Sequence, residues 1–290
     1  MEKVVQKRTT GQKVFNVFNI FLLSLGCVIF VIPYLIVISS SFTDEITLIA
    51  NGYNLFPKKF SLYAYEFLFG KNLPLVQSFL NTIFVVVVST FLTTLTCTLY
   101  AYALQHPAVK AKKFFNIFIV FTMLFNGGLI PTYLVVTYFF EDSLWSLIIP
   151  GMMTCYYTLL IRNYFLGLPR SFAEAAELDG ASDLKILFRI YIPLSVPVLV
   201  TIAMFCEVFQ WNNYTGPMLF IESQDKYTIQ LMLQKLLDNV GNMVSSSTSL
   251  IPTESLKMAA IVVSTVPIIC VYPFIQNFFI NGMIIGGVKE

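Results

Sequence analysis

One polar segment, Glu174-Ala-Ala-Glu-Leu-Asp-Gly-Ala-Ser-Asp-Leu-Lys-Ile-Leu-Phe-Arg-Ile-Tyr-Ile-Pro193, interrupts a chain that is otherwise strongly apolar. Four carboxylates and two basic side chains lie within these twenty residues. The whole chain of 290 residues is 57% hydrophobic and only 12% charged, whereas globular domains average about 25% charged residues. Too few charges remain to cover the surface of a soluble fold, so the composition predicts a membrane protein.

Apolar runs long enough to cross a bilayer lie on both sides of this segment. A helix rises about 1.5 Å per residue, so roughly 20 residues span about 30 Å of hydrocarbon. We therefore predict an all-α, polytopic membrane protein with six transmembrane helices. The first run is too long for the core of a signal peptide, so we interpret it as a retained span. The predicted spans cover about residues 15–40, 79–104, 114–139, 144–165, 190–210 and 258–280.

The distribution of basic residues predicts the orientation of the chain, because cytoplasmic loops are enriched in Lys and Arg. With the N-terminus inside, twelve of the eighteen basic residues fall in inner segments. This arrangement makes residues 1–14 a cytoplasmic segment and residues 15–290 one transmembrane domain. It places the polar loop 169–193 and both termini inside, and two longer loops, 41–77 and 211–257, outside.

Several predicted spans contain helix breakers. The sequence Asn126-Gly127-Gly128 interrupts the third span, and prolines lie in or beside most of the others. Neighbouring helices or water can satisfy the backbone groups that such breaks release. The breaks are either ordinary kinks or points at which a pathway opens and closes.

Metal, disulfide and nucleic-acid chemistry find no support in the sequence. The five cysteines are scattered through apolar runs and the only histidine is His106, so neither a disulfide framework nor a zinc site is predicted. We expect no metal site, no cofactor and no nucleic-acid partner. An intramembrane enzyme is also disfavoured, because histidines and a clustered pair of acids are lacking.

The polar loop has the signals of two short helices. Ser171 and Glu174 fit a capping box at the start of the first helix, and Gly180 suits the left-handed residue that closes it. Ser182 fits the cap of a second helix that runs towards the fifth span. The small and acidic side chains indicate a compact knob that another protein could approach closely, although charges alone also fit a solvated loop.

The joint pattern resembles the EAA motif of permease subunits of bacterial ABC importers, in the maltose-permease-like, carbohydrate-importing branch. Ile192 replaces the usual leucine of that motif. Phe125–Tyr133 resembles the sub-branch that serves complex-glycan fragments, and Ala101-Tyr-Ala103, Trp211-Asn212 and Tyr227-Thr-Ile-Gln230 also fit the family. The positions that match the motif are Glu174, Ala175, Ala176, Asp179, Gly180, Ala181, Phe188 and Pro193.

This resemblance implies a type I ABC importer permease fold whose loop 169–193 forms a cytoplasmic coupling helix. It implies two ATPase subunits, a second and different permease, an extracellular solute-binding protein and an oligosaccharide substrate in the cell membrane. Fragments that contain uronic acid, from glycosaminoglycan or pectin, are the substrates we favour. The chain itself is then not an enzyme.

No nucleotide site is predicted in the chain. Backbone amides of the motif G-x-x-x-x-G-K-[ST] cradle phosphates, but the only Gly-Lys pair here is Gly70-Lys71, with Tyr65 at the first glycine position and Asn72 at the last. ATP and Mg must therefore be bound by a partner ATPase.

Candidate pathway residues cluster at the predicted outer end of the fifth span. Glu207 is a carboxylate deep in an apolar run, where a charge costs about 2.5–3.5 kcal/mol, so it must face protein or water. It either lines the pathway or pairs with a neighbouring subunit. In an alternative function, Glu207 would be the coupling site of an ion-driven secondary transporter. Gln210, Trp211 and Asn212 complete this cluster, because polar and aromatic groups suit sugars. A separate candidate is Asn126, beside Gly127-Gly128 in the third span.

Overall fold

The computed structural model describes residues 10–70, 74–243 and 253–287, and these residues are almost entirely helical. The only strand-like feature in those ranges is an antiparallel bridge between Thr43 and Phe60. The first helices are α1 (Thr10–Ser41), α2 (Glu45–Asn51), α3 (Tyr63–Leu68), α4 (Leu75–Gln105), α5 (Lys112–Leu124), α6 (Leu129–Phe140), α7 (Trp145–Ile148) and α8 (Cys155–Leu166). Then follow α9 (Ser171–Leu178), α10 (Asp183–Ile186), a π-helix (Leu187–Tyr191), α11 (Ile192–Leu194), α12 (Val196–Asn212), α13 (Thr215–Phe220), a 3₁₀ turn (Gln224–Lys226), α14 (Ile229–Met243) and α15 (Thr253–Gly287).

Three of these helices are long and apolar enough to cross a membrane unbroken: α1, α4 and the Thr253–Cys270 part of α15. Two further spans are possible if the bent pairs α5–α6 and α10–α12 each count as one, with bends of 110° and 81°. The first bend follows from Gly128, whose φ of 92° suits glycine, and from Pro131, whose ring conflicts with a continuing helix.

The region predicted as a continuous fourth span is divided in the structure. It forms the single turn α7 and the 12-residue helix α8, separated by a non-helical stretch around Pro150-Gly151. Proline lacks the amide hydrogen that would continue α7, and glycine has a low preference for helix. Pro150 is one of the helix breakers in or beside the predicted spans, but the apolar composition continues across it and does not distinguish a kink from the end of a helix.

The chain divides into two compact units. One takes in the described residues up to 70 and from 239 to 265, and the other those from 71 to 238 and from 266 onward. In the first unit, α1 is exposed through its most apolar window. The buried carboxylate of Glu45 accepts hydrogen bonds from Thr253, Glu254 and Ser255 at 2.7–2.9 Å, and so caps the start of α15.

The second unit is organised around α4, which packs against α8 and α12. Small residues of α4 let the helices approach, and larger apolar side chains of α8 and α12 fill the space between them. The buried core of this contact consists of Cys97, Ala101, Tyr102, Ile161, Phe165, Leu187 and Ile202.

Polar side chains of α4 satisfy the backbone of the α7–α8 break. The hydroxyl of Thr93 donates to the carbonyl of Gly151 at 3.5 Å, and Thr96 donates to the carbonyl of Met152. The thiol of Cys97 donates to the carbonyl of Thr154 at 3.6 Å. An apolar environment offers no water to these carbonyls, so the break is tolerated because α4 supplies the missing donors.

The start of α4 is joined to the segment that leads into α14. The amide of Asn81 donates to the carbonyls of Asp225 and Tyr227 at 2.8 and 3.1 Å, and the hydroxyl of Thr82 accepts the amide hydrogen of Ile229 at 2.8 Å. As the spacing of its apolar residues predicts, α14 is amphipathic, with Ile229, Leu231, Met232, Leu233 and Leu236 buried.

Candidate functional site

Helices α9 and α10 of the polar loop form an exposed, compact knob at the C-terminal end of α4. Helix α9 has no buried residue, and Leu178 at its end is 90% exposed. The loop is attached to the rest of the unit further along, where Ile186 and Leu187 are buried. Helix α9 is therefore largely open to solvent along its length, and the buried contacts of the loop with the unit lie beyond its C-terminal end.

The turn between α9 and α10 is closed by a Schellman motif. The amide of Gly180 donates to the carbonyl of Glu177 at 3.0 Å, and the amide of Ala181 donates to that of Ala176 at 2.9 Å. Gly180 has a φ of 75°, as predicted, which a residue with a side chain adopts only at a cost. The knob is therefore an ordered element held by its own backbone.

The predicted capping box is absent. Ser171 is the first residue of α9, its N-cap is Arg170, and no side chain bonds to the exposed amides there. Ser182 does occupy the N-cap position of α10, but its hydroxyl makes no capping bond. The helices form where the sequence predicts them, although helix propensity and the glycine turn, rather than side-chain caps, define their ends.

A π-helix joins the knob to α12. It covers Leu187–Tyr191 and carries Phe188, which is exposed, and Arg189. A bend of 81° follows at Ser195, between Pro193 and Pro197. Pro197 cannot donate to the carbonyl four residues earlier, which is that of Pro193, so the helix cannot run straight into α12. π-Helical turns are uncommon and recur at functional sites.

A cavity of about 140 Å³ lies beside the knob. One wall is aromatic, with the ring centroids of Tyr102 and Tyr191 at 5.2 Å and those of Tyr191 and Phe165 also at 5.2 Å. The opposite wall is charged and belongs to α9 and the residue before it. The lining includes Gln105, His106, Arg170, Glu174 and Glu177.

His106 connects α4 to the second helix of the knob. It follows α4 directly, and its Nε2 lies 3.4 Å from a carboxylate oxygen of Asp183. Neither residue was a candidate from the sequence. The only available signal was that His106 is the single histidine of the chain, and spacing along the sequence does not reveal that it meets Asp183.

The candidate pathway residues differ in their burial and in their hydrogen-bond partners, and all except Asn126 lie on α12. Trp211 is buried, with its ring 6.3 Å from that of Phe79, and Gln210 donates to the carbonyl of Leu147 at 3.4 Å. Asn212 is exposed and bonds within its own helix. Glu207 is half-buried on α12, and Asn126 accepts the amide hydrogen of Gly128 within the α5–α6 break.

A second polar centre, formed by hydrogen bonds to the carboxylate of Asp142, was likewise not predicted from the sequence. Asp142 has a φ of 43°, a left-handed conformation that aspartate tolerates better than most residues. Its carboxylate accepts hydrogen bonds from the amides of Glu222 and Ser223, from the Ser223 hydroxyl and from Lys226. The hydrogen bond from the Lys226 ammonium, with that from Ser223, holds the pKa of Asp142 well below its usual range.

The Asp142 centre and the contact of His106 with the knob lie at opposite ends of α4. Asn81 contacts the segment that includes Lys226, whereas His106 contacts the knob, and the helix between them measures about 36 Å. A bilayer core is about 30 Å thick. Long apolar helices, a helix break satisfied from within, and polar loops at both ends of α4 define a helical membrane protein.

The family follows from comparison with known proteins. Residues 111–285 match the family model described as the binding-protein-dependent transport system inner membrane component, and the chain belongs to this family. The polygalacturonan/rhamnogalacturonan transport system permease protein YtcP of Bacillus subtilis (strain 168) is 36% identical over 92% of this chain and 95% of its own length. Protein LplC of the same organism is 36% identical over 97% of both chains.

A solved structure shares the fold. It is a chain of a bacterial ABC transporter involved in the import of the acidic polysaccharide alginate, with a TM-score of 0.82 and 30% identity over 95% of this chain and all of that one. The predicted all-α permease fold is thereby confirmed. The chain is a multi-pass membrane protein of a binding-protein-dependent importer, and permease subunits of this kind are in general not enzymes.

Proposed function

We propose that this chain is one of two different permease subunits of an ATP-driven oligosaccharide importer, and that it forms half of the translocation pathway. The observation that carries the proposal is the exposed knob α9–α10 at one end of α4, in a chain related to polysaccharide permeases. The knob is the surface on which an ATPase subunit docks. When the ATPase closes and opens, the docked knob moves. Because the knob is covalently joined to α12, that helix moves with it.

The shape of the knob supports this role. Ala175 and Glu174 are exposed on α9, so a partner's backbone can approach while carboxylates pair with basic groups across the interface. Asp179, Gly180 and Ala181 form the turn, and Phe188 adds an exposed ring beside it. The sequence lacks a phosphate-binding motif, so ATP and Mg are bound by the ATPase.

The family resemblance supports a complex with two ATPase subunits and an extracellular solute-binding protein. The excess of basic residues in the predicted inner segments supports a cytoplasmic knob and cytoplasmic termini. In this orientation the Asp142 centre and α14 face outward, where the binding protein delivers substrate.

The substrate is an oligosaccharide, and fragments that contain uronic acid fit the relatives best. One relative is named for transport of polygalacturonan and rhamnogalacturonan. The solved structure belongs to a transporter involved in the import of the acidic polysaccharide alginate. Glu207, Gln210, Trp211, Asn212 and Asn126 are the residues we assign to the pathway. An ion-coupled transporter built on Glu207 is disfavoured by the membership of the binding-protein-dependent family.

Purification with the ATPase and reconstitution in liposomes test the function. We expect ATP hydrolysis that rises when the loaded binding protein is added, and ATP-dependent uptake of labelled uronate-containing glycans. Replacement of Ala176 by tryptophan should abolish both, because a large side chain on α9 prevents docking. Full uptake by that variant, or uptake by the purified chain alone down an ion gradient, would refute the proposal.

A further inference from the structure

His106 and Asp183 bring into contact two elements that are far apart in the sequence. His106 lies just beyond α4, and Asp183 is the first residue of α10. The imidazole is 19% exposed, and its Nε2 is 3.4 Å from the Asp183 carboxylate. The contact therefore ties the knob directly to α4, whereas the backbone joins the knob to α8 and α12.

The hydrogen bond that the ring accepts defines its neutral tautomer. Nδ1 accepts the amide hydrogen of Ala108 at 3.4 Å, so in the neutral ring the proton lies on Nε2. Nε2, the nitrogen 3.4 Å from the Asp183 carboxylate, then carries the proton, so the two side chains make a polar contact with the ring neutral as well as charged. The backbone amide of His106 bonds to the carbonyls of Tyr102 and Ala103, which keeps the residue at the end of α4.

Aromatic packing limits the freedom of the ring. Its centroid lies 5.7 Å from that of Tyr102, which in turn contacts Tyr191 on the π-helix. On the other side the cavity of about 140 Å³ separates the ring from Arg170, Glu174 and Glu177. The contact with Asp183 is thus a direct polar attachment of the knob to α4 on the side away from this cavity's charged residues.

We propose that His106 is a positioning residue for energy coupling: through Asp183 it makes α4 follow the movement of the knob. The inference rests on the proposed docking of an ATPase on that knob. Displacement of the knob reaches α12 through the π-helix and reaches α4 through His106, so the two packed helices move together. Because Asn81 and Thr82 hold the segment before α14, the same helix links the knob to the opposite face.

The test compares variants of the reconstituted complex with ATPase and binding protein. His106→Phe keeps an aromatic ring but removes the polar nitrogens, Asp183→Ala removes the carboxylate, and His106→Gln restores a polar N–H group of similar reach. We expect the first two to lower the maximal stimulation of ATP hydrolysis by the binding protein several-fold. His106→Gln should retain most of it, and the double variant His106→Phe, Asp183→Ala should be no worse than either single variant.

The ratio of stimulated to basal hydrolysis distinguishes positioning from simple destabilisation. A loss of assembled complex lowers both rates and leaves the ratio unchanged, and that result overturns the proposal. Unchanged stimulation in His106→Phe, or additive losses in the double variant, also overturns it. Glu66→Gln, which alters an exposed carboxylate on α3, is the matched control and should behave as the unmodified chain.

Failure of this inference differs from failure of the proposed function. If His106 variants keep full stimulation while Ala176→Trp abolishes it, the knob is the docking site but His106 does not position it. If Ala176→Trp also has no effect, the docking role itself is wrong.

Discussion

The ammonium group of Lys226 lies 2.7 Å from both the carboxylate and the backbone carbonyl of Asp142, and so closes a loop across 84 residues of sequence. The pKa of Lys226 is raised, first by its hydrogen bond to Asp142. The shifts of both partners have the directions expected for an ion pair. Together with Asn81, this pair fixes the segment that precedes α14.

Asp142→Asn should lower the thermal stability of the complex by a few degrees, because the amide cannot accept all the hydrogen bonds that the carboxylate accepts. The folded pKa of Asp142 is depressed, so its contribution is complete above the ordinary value of 3.8 and is lost as the pH falls towards the folded value. The raised pKa of Lys226 makes its contribution complete below the ordinary value of 10.5.

Thermal unfolding followed between pH 5 and pH 9 checks this, and the difference between variant and parent should be constant there. Glu222→Gln is the control, because it removes an exposed carboxylate on the same segment and keeps the backbone amide that bonds to Asp142. A difference that grows between pH 5 and pH 9 would contradict the assignment of the ion pair.

Gly180→Ala should reduce ATP-dependent transport through backbone conformation alone. A Cβ at this position meets no atom within 4 Å, but the φ of 75° costs a non-glycine residue about 1 kcal/mol or more. Asparagine adopts the left-handed region more easily, so Gly180→Asn should retain more transport than Gly180→Ala. Uptake of labelled substrate by liposomes ranks the variants, and equal loss in both would show that a close contact, not the conformation, matters.

Thr96→Val should destabilise the second unit by about 0.5–2 kcal/mol, because it leaves the carbonyl of Met152 without its donor in an apolar region. Thr137→Val is the matched control, since the Thr137 hydroxyl bonds only to carbonyls of its own helix, whose amide bonds remain. Denaturant unfolding in detergent measures both. Equal effects in the two variants would mean that the α7–α8 break does not depend on α4.

Glu45→Ala should be among the more damaging changes in the first unit, with a cost of about 2 kcal/mol or more. The side chain is 8% exposed and caps the start of α15 with four hydrogen bonds. Thermal unfolding should show a clear loss, whereas Glu45→Gln, which keeps one acceptor oxygen, should lose less. A neutral outcome for Glu45→Ala would show that other groups cap α15.

Glu207→Gln should alter which sugars are transported. If Glu207 lines the pathway, its charge repels uronate groups, and removing it should raise the uptake of uronate-containing fragments relative to neutral ones several-fold. Competition between the two labelled sugar types measures the ratio. An unchanged ratio combined with loss of assembled complex would assign Glu207 to a subunit interface instead.

The features that follow from local chemistry were predictable from the sequence. Composition gave the membrane class, and Gly180 gave the left-handed turn. Prolines marked possible breaks, but the way in which the α7–α8 break is stabilised was not predictable, because its carbonyls are satisfied by Thr93, Thr96 and Cys97 from a helix nearly sixty residues earlier in the chain. The contact of His106 with Asp183 and the bonds of Asp142 are likewise products of tertiary packing, for which no periodicity in the sequence provides a signal.

The π-helix at Leu187–Tyr191 determines the direction in which the knob points. Such a turn holds one residue more than an α-helical path of the same form, and each residue of an α-helix turns the chain by about 100°. Deleting a single residue there would leave the residues of α9 unchanged. It would nevertheless rotate α9 relative to α12 by about 100°, which is more than a quarter-turn. A one-residue deletion in this turn would therefore misdirect the docking surface although the side chains that form that surface are all retained.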